Sequence, residues 1–145
     1  MDDQHKPEWI KVDEWDFVEY VDSLLRSQEA VDLEFKTARA GFPNSVWETY
    51  SSFANTDGGT IVLGIKEKNG ALCVEGLLPE QIVSYRQIIC NQLNNPDCVN
   101  VNLLTDKNIQ EVDYRGKSLL LIYVPRASRS QRPVYSVSYT HLTLP

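Results

Sequence analysis

The segment FANTDGGTIVLGI, residues 53–65, contains a pair of glycines that could bring backbone N–H groups close to an anion. Gly58 and Gly59 lack side chains, so a ligand can approach their backbone closely. They follow the predicted C-terminal end of a helix, where the negative end of the helix dipole disfavours a phosphate. The structural alternative is that one glycine ends the helix with a positive φ, while Asn55 and Asp57 bond nearby backbone groups. The sequence leaves both alternatives open.

Lysines and arginines suited to a sugar-phosphate backbone occur in three parts of the chain, around residues 36–39, 66–68 and 126–132. Such side chains bind phosphates and release counterions without reading the base sequence. The predicted nucleic-acid-binding residues are these basic side chains and four residues of the glycine bend: Lys36, Arg39, Lys66, Lys68, Arg126, Arg129, Arg132, Asn55, Thr56, Gly58 and Gly59. The alternative for the last group of arginines is an ordinary solvated tail.

The charge is distributed unevenly along the chain. The 145 residues have a net charge of −6, with −8 in residues 1–34 and +2 in residues 35–145. The overall sign argues weakly against a nucleic-acid partner, but a neutral-to-basic body is compatible with a phosphate-binding face. The acidic N-terminal region could equally cover that face.

Several other classes of site are disfavoured by the sequence. It contains no GxxxxGK[ST] motif, so a Walker-type nucleotide site is not expected. The three cysteines have no metal-ligand spacing, and histidine occurs only at His5 and His141. Because no apolar run is long enough to span a bilayer and the N-terminus does not resemble a secretory signal, we expect a cytoplasmic protein without a membrane partner.

The last ten residues, SVSYTHLTLP, do not fit the pattern that precedes them. VSYTHLTLP can be encoded by a transposon-end sequencing adaptor read in frame, so we interpret residues 136–145 as read-through and exclude them from fold reasoning. Residues 1–12 are then expected to form a flexible acidic arm, and residues 13–135 one domain at the N-terminus of a longer protein. Without the tail, His5 is the one histidine, which disfavours a histidine-based mechanism.

Hydrophobic periodicity predicts a mixed α/β (α+β) domain in which a sheet of about six strands packs with about three helices, in the order α-β-α-β-β-α-β-β-β. Trp47, Tyr50 and Phe53 recur at helical spacing and are predicted to lie in the core. The predicted elements are a helix from Asp13, a strand at Val31–Lys36, a helix begun by a Ser45/Glu48 capping box, a strand TIVLGI (60–65), a hairpin turning at Asn69-Gly70, a helix from Pro79 to about Asn94, and strands VNVNLL (99–104), IQEVDY (109–114) and SLLLIYV (118–124).

Several of these motifs occur together in one known family. EFK at 34–36, Pro43, WETYSSFANTDGGTIVLGIKE at 47–67 and VPRASRSQRPVY at 124–135 resemble the Schlafen AlbA-like domain. The resemblance covers roughly Glu29–Tyr135. It implies a nucleic-acid-binding domain of prokaryotic type, commonly a DNA-binding or ATP-binding part of transcriptional regulators. In such proteins a helix-turn-helix region follows downstream, and here it would lie beyond Tyr135.

The resemblance also implies a second chemistry, because some Schlafen relatives are metal-dependent RNases that cleave structured RNA such as tRNA. Their three acidic residues match Glu29, Glu34 and Glu67, which would bind Mg²⁺ or Mn²⁺ and lower the pKa of a bound water. Lys36, on the same strand face as Glu34, could hold a phosphate or orient that water. The nuclease relatives carry aspartate at the position of Glu67. Each glutamate has the alternative of being an ordinary surface residue.

The leading interpretation is a nucleic-acid-binding domain of a transcriptional regulator, with DNA favoured over RNA. The alternatives are a divalent-metal-dependent RNase that uses the three glutamates, and an ATP- or nucleotide-binding regulatory domain. A homo-oligomer stays open. The binding hypothesis requires the EFK strand and the diglycine bend to lie side by side and to form one polar ledge.

Overall fold

The computed structural model describes residue 19, residues 33–68 and residues 71–136, and for residues 67, 68, 71 and 72 it describes the backbone alone. Some predictions therefore fall largely or wholly outside the described residues: the acidic arm (1–12), the helix from Asp13, the turn at Asn69-Gly70 and the tail beyond Ser136. Within the predicted first helix, Glu19 is helical. The predicted domain boundaries stay predictions.

The described chain is a mixed α+β domain, as predicted. Its elements in chain order are β1 (Leu33–Lys36), α1 (Val46–Ala54), β2 (Gly59–Leu63), β3 (Ile65–Lys68), β4 (Ala71–Val74), α2 (Pro79–Leu93), β5 (Ile109–Tyr114) and β6 (Lys117–Val124). Short 3-10 turns occur at Asp106–Asn108 and Arg129–Gln131. The predicted single sheet of about six strands is not confirmed, because the strands of the described residues divide into two sheets. The three predicted helices and the predicted order are not confirmed either, since two helices are described in full and the strand predicted at residues 99–104 is not among the observed ones.

The strands form a four-stranded sheet in the order β1-β2-β6-β5, and β3 and β4 form a separate antiparallel pair. In the larger sheet β1 runs parallel to β2, whereas β6 is antiparallel to both of its neighbours. The two central strands, β2 and β6, are apolar on both faces because both faces are covered. This explains why their sequences read as continuous apolar runs.

The hydrophobic core has two parts, one on each face of the four-stranded sheet. On one face, Ile61 and Leu63 of β2 and Ile122 of β6 belong to a cluster with apolar residues of α1 and α2. On the other face, Val62 and Leu121 belong to a cluster with residues of β3 and β5. Full burial of each such side chain contributes about 1.5–3 kcal/mol, so the two central strands organise most of the core.

Helix α1 buries the aromatic side chains that its spacing predicted. Trp47, Tyr50 and Phe53 are all buried, and the Trp47 and Tyr50 rings meet edge to face with centroids 5.8 Å apart. The predicted capping box is wrong, because Ser45 has helical φ and ψ and makes no side-chain cap bond. Its hydroxyl instead accepts a hydrogen bond of 3.0 Å from Lys36 Nζ.

Gly64 divides the predicted strand TIVLGI into β2 and β3. Its φ of +113° is accessible to glycine and strained for other residues, and a Cβ there would lie 2.9 Å from Leu119 Cδ2. The chain leaves the larger sheet at this point, and β3 pairs with β4 instead. Lys66–Lys68, which lie between the predicted strand and the predicted turn at Asn69-Gly70, are therefore part of a strand.

The predicted strand VNVNLL (99–104) is wrong. Val99 forms a single bridge with Ser136, and the residues that follow are irregular. The Tyr50 hydroxyl donates to Val101 O at 2.8 Å and accepts from Leu103 N at 2.9 Å, so a side chain satisfies the backbone groups that a neighbouring strand would have bonded. The helix predicted from Pro79 to about Asn94 is confirmed as α2.

We expect Tyr50→Phe to lower the free energy of unfolding by about 2 kcal/mol, because it leaves one backbone donor and one acceptor without a partner. Burial raises the pKa of Tyr50 to about 12, against 10.0 for the ordinary phenol. Its stabilising contribution is therefore present below pH 10 and is lost as the pH rises through 12. Urea denaturation measures both effects. Tyr135→Phe, at an exposed tyrosine, is the control, and equal losses in the two variants would contradict the assigned role of Tyr50.

Candidate nucleic-acid interface

The end of helix α1 shows what the diglycine bend does structurally. After Ala54 the N–H of Asn55 bonds to Ser51 O, and the N–H of Gly58 reaches back to Phe53 O at 2.8 Å. Gly58 has a φ of +86°, the left-handed conformation in which glycine commonly ends a helix. The positive φ predicted for one of the two glycines is thus confirmed for Gly58, but the C-cap of the helix is Asn55 and not a glycine.

Both glycines also permit close packing. A Cβ on Gly58 would lie 2.7 Å from Val124 O and 3.2 Å from Arg126 N, and a Cβ on Gly59 would lie 2.7 Å from the Phe53 ring. These separations are shorter than ordinary van der Waals contact. The bend is therefore pressed against the end of β6 and the start of the segment that follows it.

That segment, residues 125–135, is called here the arginine loop. Its backbone is tied to the end of α1 at two points. The N–H of Ala127 donates to Ala54 O at 2.8 Å, and the Asn55 amide makes two bonds with Val134, donating to its O at 2.7 Å and accepting from its N at 2.8 Å. Ala127 and Val134 are buried. The segment is an anchored loop rather than the solvated tail that the sequence left open.

A second asparagine fixes the far end of the arginine loop. Asn100 donates through Nδ2 to Pro133 O at 2.9 Å, and its Oδ1 accepts from Tyr135 N at 2.8 Å. Between the anchors, the N–H of Ser128 donates to Gln131 Oε1 at 2.9 Å and closes the 3-10 turn. The loop is consequently held at Ala127 by the backbone carbonyl of Ala54, and at residues 133–135 by two asparagine side chains distant in sequence.

The arginine loop carries three positive charges and no carboxylate. Arg126 and Arg129 are exposed and Arg132 is half-buried. Within residues 33–68 and 71–136, their guanidinium groups make no ion pair and no hydrogen bond. The contact of Ala127 with Ala54 places the loop at the C-terminal end of α1, whose partial negative charge favours nearby cations.

The other predicted basic residues lie outside the arginine loop, and two of them, Lys36 and Arg39, have bonding partners. Lys36 Nζ lies 3.0 Å from Ser45 Oγ and 3.8 Å from Glu34 Oε2, and Arg39 Nη1 donates to Glu75 O at 3.2 Å. Lys66 is exposed on β3, and the Lys68 side chain lies outside the described residues. The Thr56 hydroxyl of the bend donates to Ser52 O at 2.9 Å.

The predicted polar ledge joined the EFK strand to the diglycine bend, but in the structure the bend contacts a different segment. Strands β1 and β2 are neighbours, as the hypothesis required, but Lys36 pairs with Leu63 at the far end of β2 from Gly59. Four residues of strand separate these positions, about 13 Å. The bend contacts the arginine loop instead, so Lys36 and the three loop arginines belong to two separate basic groups.

An open cleft of about 320 Å³ lies beside the diglycine bend. The bend and the start of β2 line one side of it, and the residues before β5 and at the end of β6 line the other: Asp57, Gly58, Gly59, Thr60, Asn108, Tyr123, Val124 and Pro125. Asn108 holds the second side together, since its Nδ2 donates to Tyr123 O at 3.0 Å. The cleft and the arginine loop therefore adjoin at Pro125.

Comparison with known proteins identifies the family. The family model described as "Schlafen, AlbA_2" matches residues 29–142. The chain belongs to this family. The match extends past Tyr135, and Ser136 is itself buried and bridged to Val99.

Two solved structures resemble this Schlafen AlbA_2 domain. One is the solution structure of the N-terminal domain of a RecG-related protein from Nitrosomonas europaea, named for its relation to an ATP-dependent DNA helicase. It is 29% identical, with a TM-score of 0.64, and the alignment covers 82% of this chain and 78% of that one. The other, the DIP2311 protein from Corynebacterium diphtheriae, is 21% identical with a TM-score of 0.53, covering 88% of this chain and 25% of that one, and it shows the fold alone. The comparison with curated proteins found no match.

The carboxylates implied for the family's nuclease members are only partly described. Glu34 is exposed on β1, whereas Glu29 and the side chain of Glu67 lie outside the described residues. Among the side chains that the structure describes, no three His, Cys, Asp or Glu residues could hold a metal ion together. Carboxylate oxygens suit Mg²⁺ or Mn²⁺ chemically, so the metal site stays a prediction. No helix in the described ranges is long and apolar enough to cross a membrane.

Sequence reasoning missed several residues that shape this region of the Schlafen AlbA_2 domain. Asn100 and Asn108 were not proposed for any role, and Thr60 and Tyr123 of the cleft were assigned only to buried strands. Asn55 was proposed as a binding residue, yet its amide is engaged with Val134. The sequence signal for a structural role of Asn55 was its position at a break in helical periodicity. That signal does not reveal its bonding partner, Val134, which is 79 residues away.

We expect Gly58→Ala to destabilise the domain by about 2 kcal/mol more than Gly116→Ala. Both glycines have a positive φ, +86° and +85°, and both substitutions add about 1 kcal/mol of backbone strain. A Cβ on Gly116 meets nothing within 4 Å, whereas one on Gly58 collides with the backbone of β6. Urea denaturation of the two variants measures the difference. Equal losses would contradict the conclusion that the bend is pressed against β6.

Proposed function

We propose that this domain binds nucleic acid, with DNA as the favoured ligand, through the arginine loop. The observation that carries the proposal is a set of three arginines that have no ionic partner among the described residues. They lie on a loop anchored at Ala127 and again at residues 133–135. The similarity to a domain of a RecG-related protein, named after a DNA helicase, supports the same class of ligand.

The anchoring of the loop matters for the energetics of binding. A flexible basic tail loses backbone entropy of about 1–2 kcal/mol for each residue that it orders on a ligand. The arginine loop is already ordered by Asn55 and Asn100, so that cost falls on folding and not on binding. Arginine also offers a planar set of donors that matches two phosphate oxygens at once, which suits the two non-bridging oxygens of a phosphodiester.

Phosphate contacts position a protein on nucleic acid but do not specify a base sequence. The proposal therefore places this domain as a positioning unit within a transcriptional regulator, and a helix-turn-helix region elsewhere in the protein would read the bases. A homo-oligomer would set two such loops against one duplex and raise the affinity through effective concentration.

Arg129→Gln should weaken binding to a labelled DNA duplex and reduce the slope of log affinity against log salt by about 1, since one phosphate contact is lost. Lys117→Gln removes the same charge at the other end of β6, seven residues and about 23 Å from Val124, and should leave both quantities unchanged. Fluorescence anisotropy from 50 to 200 mM salt measures them. Absence of salt-dependent binding by the wild-type chain to either duplex or single-stranded DNA, or equal effects of the two substitutions, would overturn the proposal.

The second candidate function is a divalent-metal-dependent RNase. The observation that favours it is the exposed Glu34 carboxylate beside Lys36, on a strand that contacts β3, which carries Glu67. The three glutamates would hold the cation. In that arrangement the Lys36 ammonium would hold a phosphate of the substrate near the cation. The site would lie with the Lys36 group of basic residues and not with the arginine loop.

If this second candidate is correct, the wild-type chain cleaves tRNA in the presence of Mn²⁺, and Glu34→Gln lowers the rate by at least about tenfold because a metal ligand loses its charge. Glu111→Gln, at an exposed carboxylate on β5, is the matched control and should retain full activity. Gel analysis of cleavage over time is the measurement. Intact tRNA after incubation with the wild-type chain would exclude the nuclease.

A further inference from the structure

The cleft beside the diglycine bend is large enough for one small ligand but too small for a nucleic-acid duplex. Its volume of about 320 Å³ is at the lower end of the roughly 300–1,000 Å³ typical of small-ligand sites. Its walls combine polar groups of the bend with the half-buried aromatic side chain of Tyr123. A wall of this kind suits a planar ring with polar edges.

Thr60 points to a ligand in this cleft. Only 6% of the residue is exposed, and it lines the cleft between its register partners Leu33 and Tyr123. In the described part of the chain its hydroxyl makes no hydrogen bond. The hydroxyl oxygen itself is accessible, since among the described side chains Trp47 Nε1 is the one fully buried polar atom without a hydrogen-bond partner. The Thr60 hydroxyl is therefore open to the cleft and available to a ligand.

Asp57 determines the kind of ligand. Its carboxylate is exposed at the cleft, accepts hydrogen bonds but cannot donate them, and has no ion pair among the described residues. A negative group there repels a phosphate but attracts N–H and O–H donors. The edge of a base and the hydroxyl groups of a sugar provide such donors, and the Thr60 hydroxyl can both donate and accept beside them.

The arginine loop begins at the rim of the same cleft. Pro125 lines the cleft and Arg126 follows it immediately, with its N atom 3.2 Å from the position of a Cβ on Gly58. The arrangement separates two chemistries: positive charge outside the cleft for a phosphate, and a carboxylate with a hydroxyl inside it for a neutral ring or sugar.

We infer that the cleft accepts one unpaired nucleoside of a single strand, whose adjoining phosphates lie on the arginine loop. This inference rests on the proposed function. In a duplex, the base edges are paired and stacked, and moving one base out of the stack costs a few kcal/mol. The domain should therefore prefer single strands, or ends and gaps, over an intact duplex.

The test compares a labelled single-stranded oligonucleotide with the duplex of the same sequence, at one low salt concentration, by fluorescence anisotropy. The wild-type chain should bind the single strand more tightly. Thr60→Val keeps the branched shape and removes the hydroxyl, and it should weaken single-strand binding about fivefold while leaving duplex binding unchanged. Thr49→Val, on α1, is the matched control and should alter neither affinity.

Asp57→Asn provides a second variant at an exposed position, for which loss of folding is not expected. It should also weaken single-strand binding selectively, and amide NMR shifts on titration with an uncharged nucleoside should appear at Gly58, Gly59 and Thr60. Equal single-strand and duplex affinities that neither substitution at the cleft changes would overturn the inference alone. If the wild-type chain binds neither form, the proposed function itself fails.

Discussion

The contact between the Gly58 bend and the end of β6 is the constraint on which the rest of this region depends. With Val124 O only 2.7 Å from where a Cβ would stand, the bend and the strand end approach to backbone contact. That approach brings the C-terminal end of α1 within hydrogen-bond reach of the chain that leaves β6. Ala54 and Asn55 can then bond residues 127 and 134, which fixes the arginine loop and leaves a cleft on the adjoining side.

Much of the fold could be predicted from sequence where the signal is local. Helix α2 begins at Pro79 and ends at Leu93, within one residue of the predicted end, because its apolar residues recur at helical spacing. The burial of Trp47, Tyr50 and Phe53 follows from the same periodicity. Strands β5 and β6 were predicted nearly to the residue, since their apolar runs are separated by a turn.

The errors occur where a distant side chain competes with a local pattern. VNVNLL alternates like a strand, but the Tyr50 hydroxyl takes the backbone groups of Val101 and Leu103 that a strand needs. Ser45 and Glu48 have capping-box spacing, but the Ser45 hydroxyl is bonded to Lys36. The hydrogen bonds between Asn55 and Val134 join residues 79 positions apart, so no local sequence pattern around Asn55 includes Val134. For the same reason, the sequence joined the diglycine bend to the EFK strand and missed its contact with the arginine loop.

The position of the arginine loop explains how a phosphate could bind near the glycine bend, although the bend itself is an unfavourable site for an anion. A phosphate bound directly to the bend would lie at the negative end of α1 and beside Asp57, and both oppose an anion. Cations placed there are stabilised by the helix end even without a ligand, and they supply the positive charge that the bend lacks. The net charge of −6 therefore says little about this surface, because screening limits distant charges to a range of about 8–10 Å at physiological salt. Asp57 lines the cleft and Arg126 follows Pro125 at its rim, and this arrangement favours a ligand that is anionic at one end and neutral at the other.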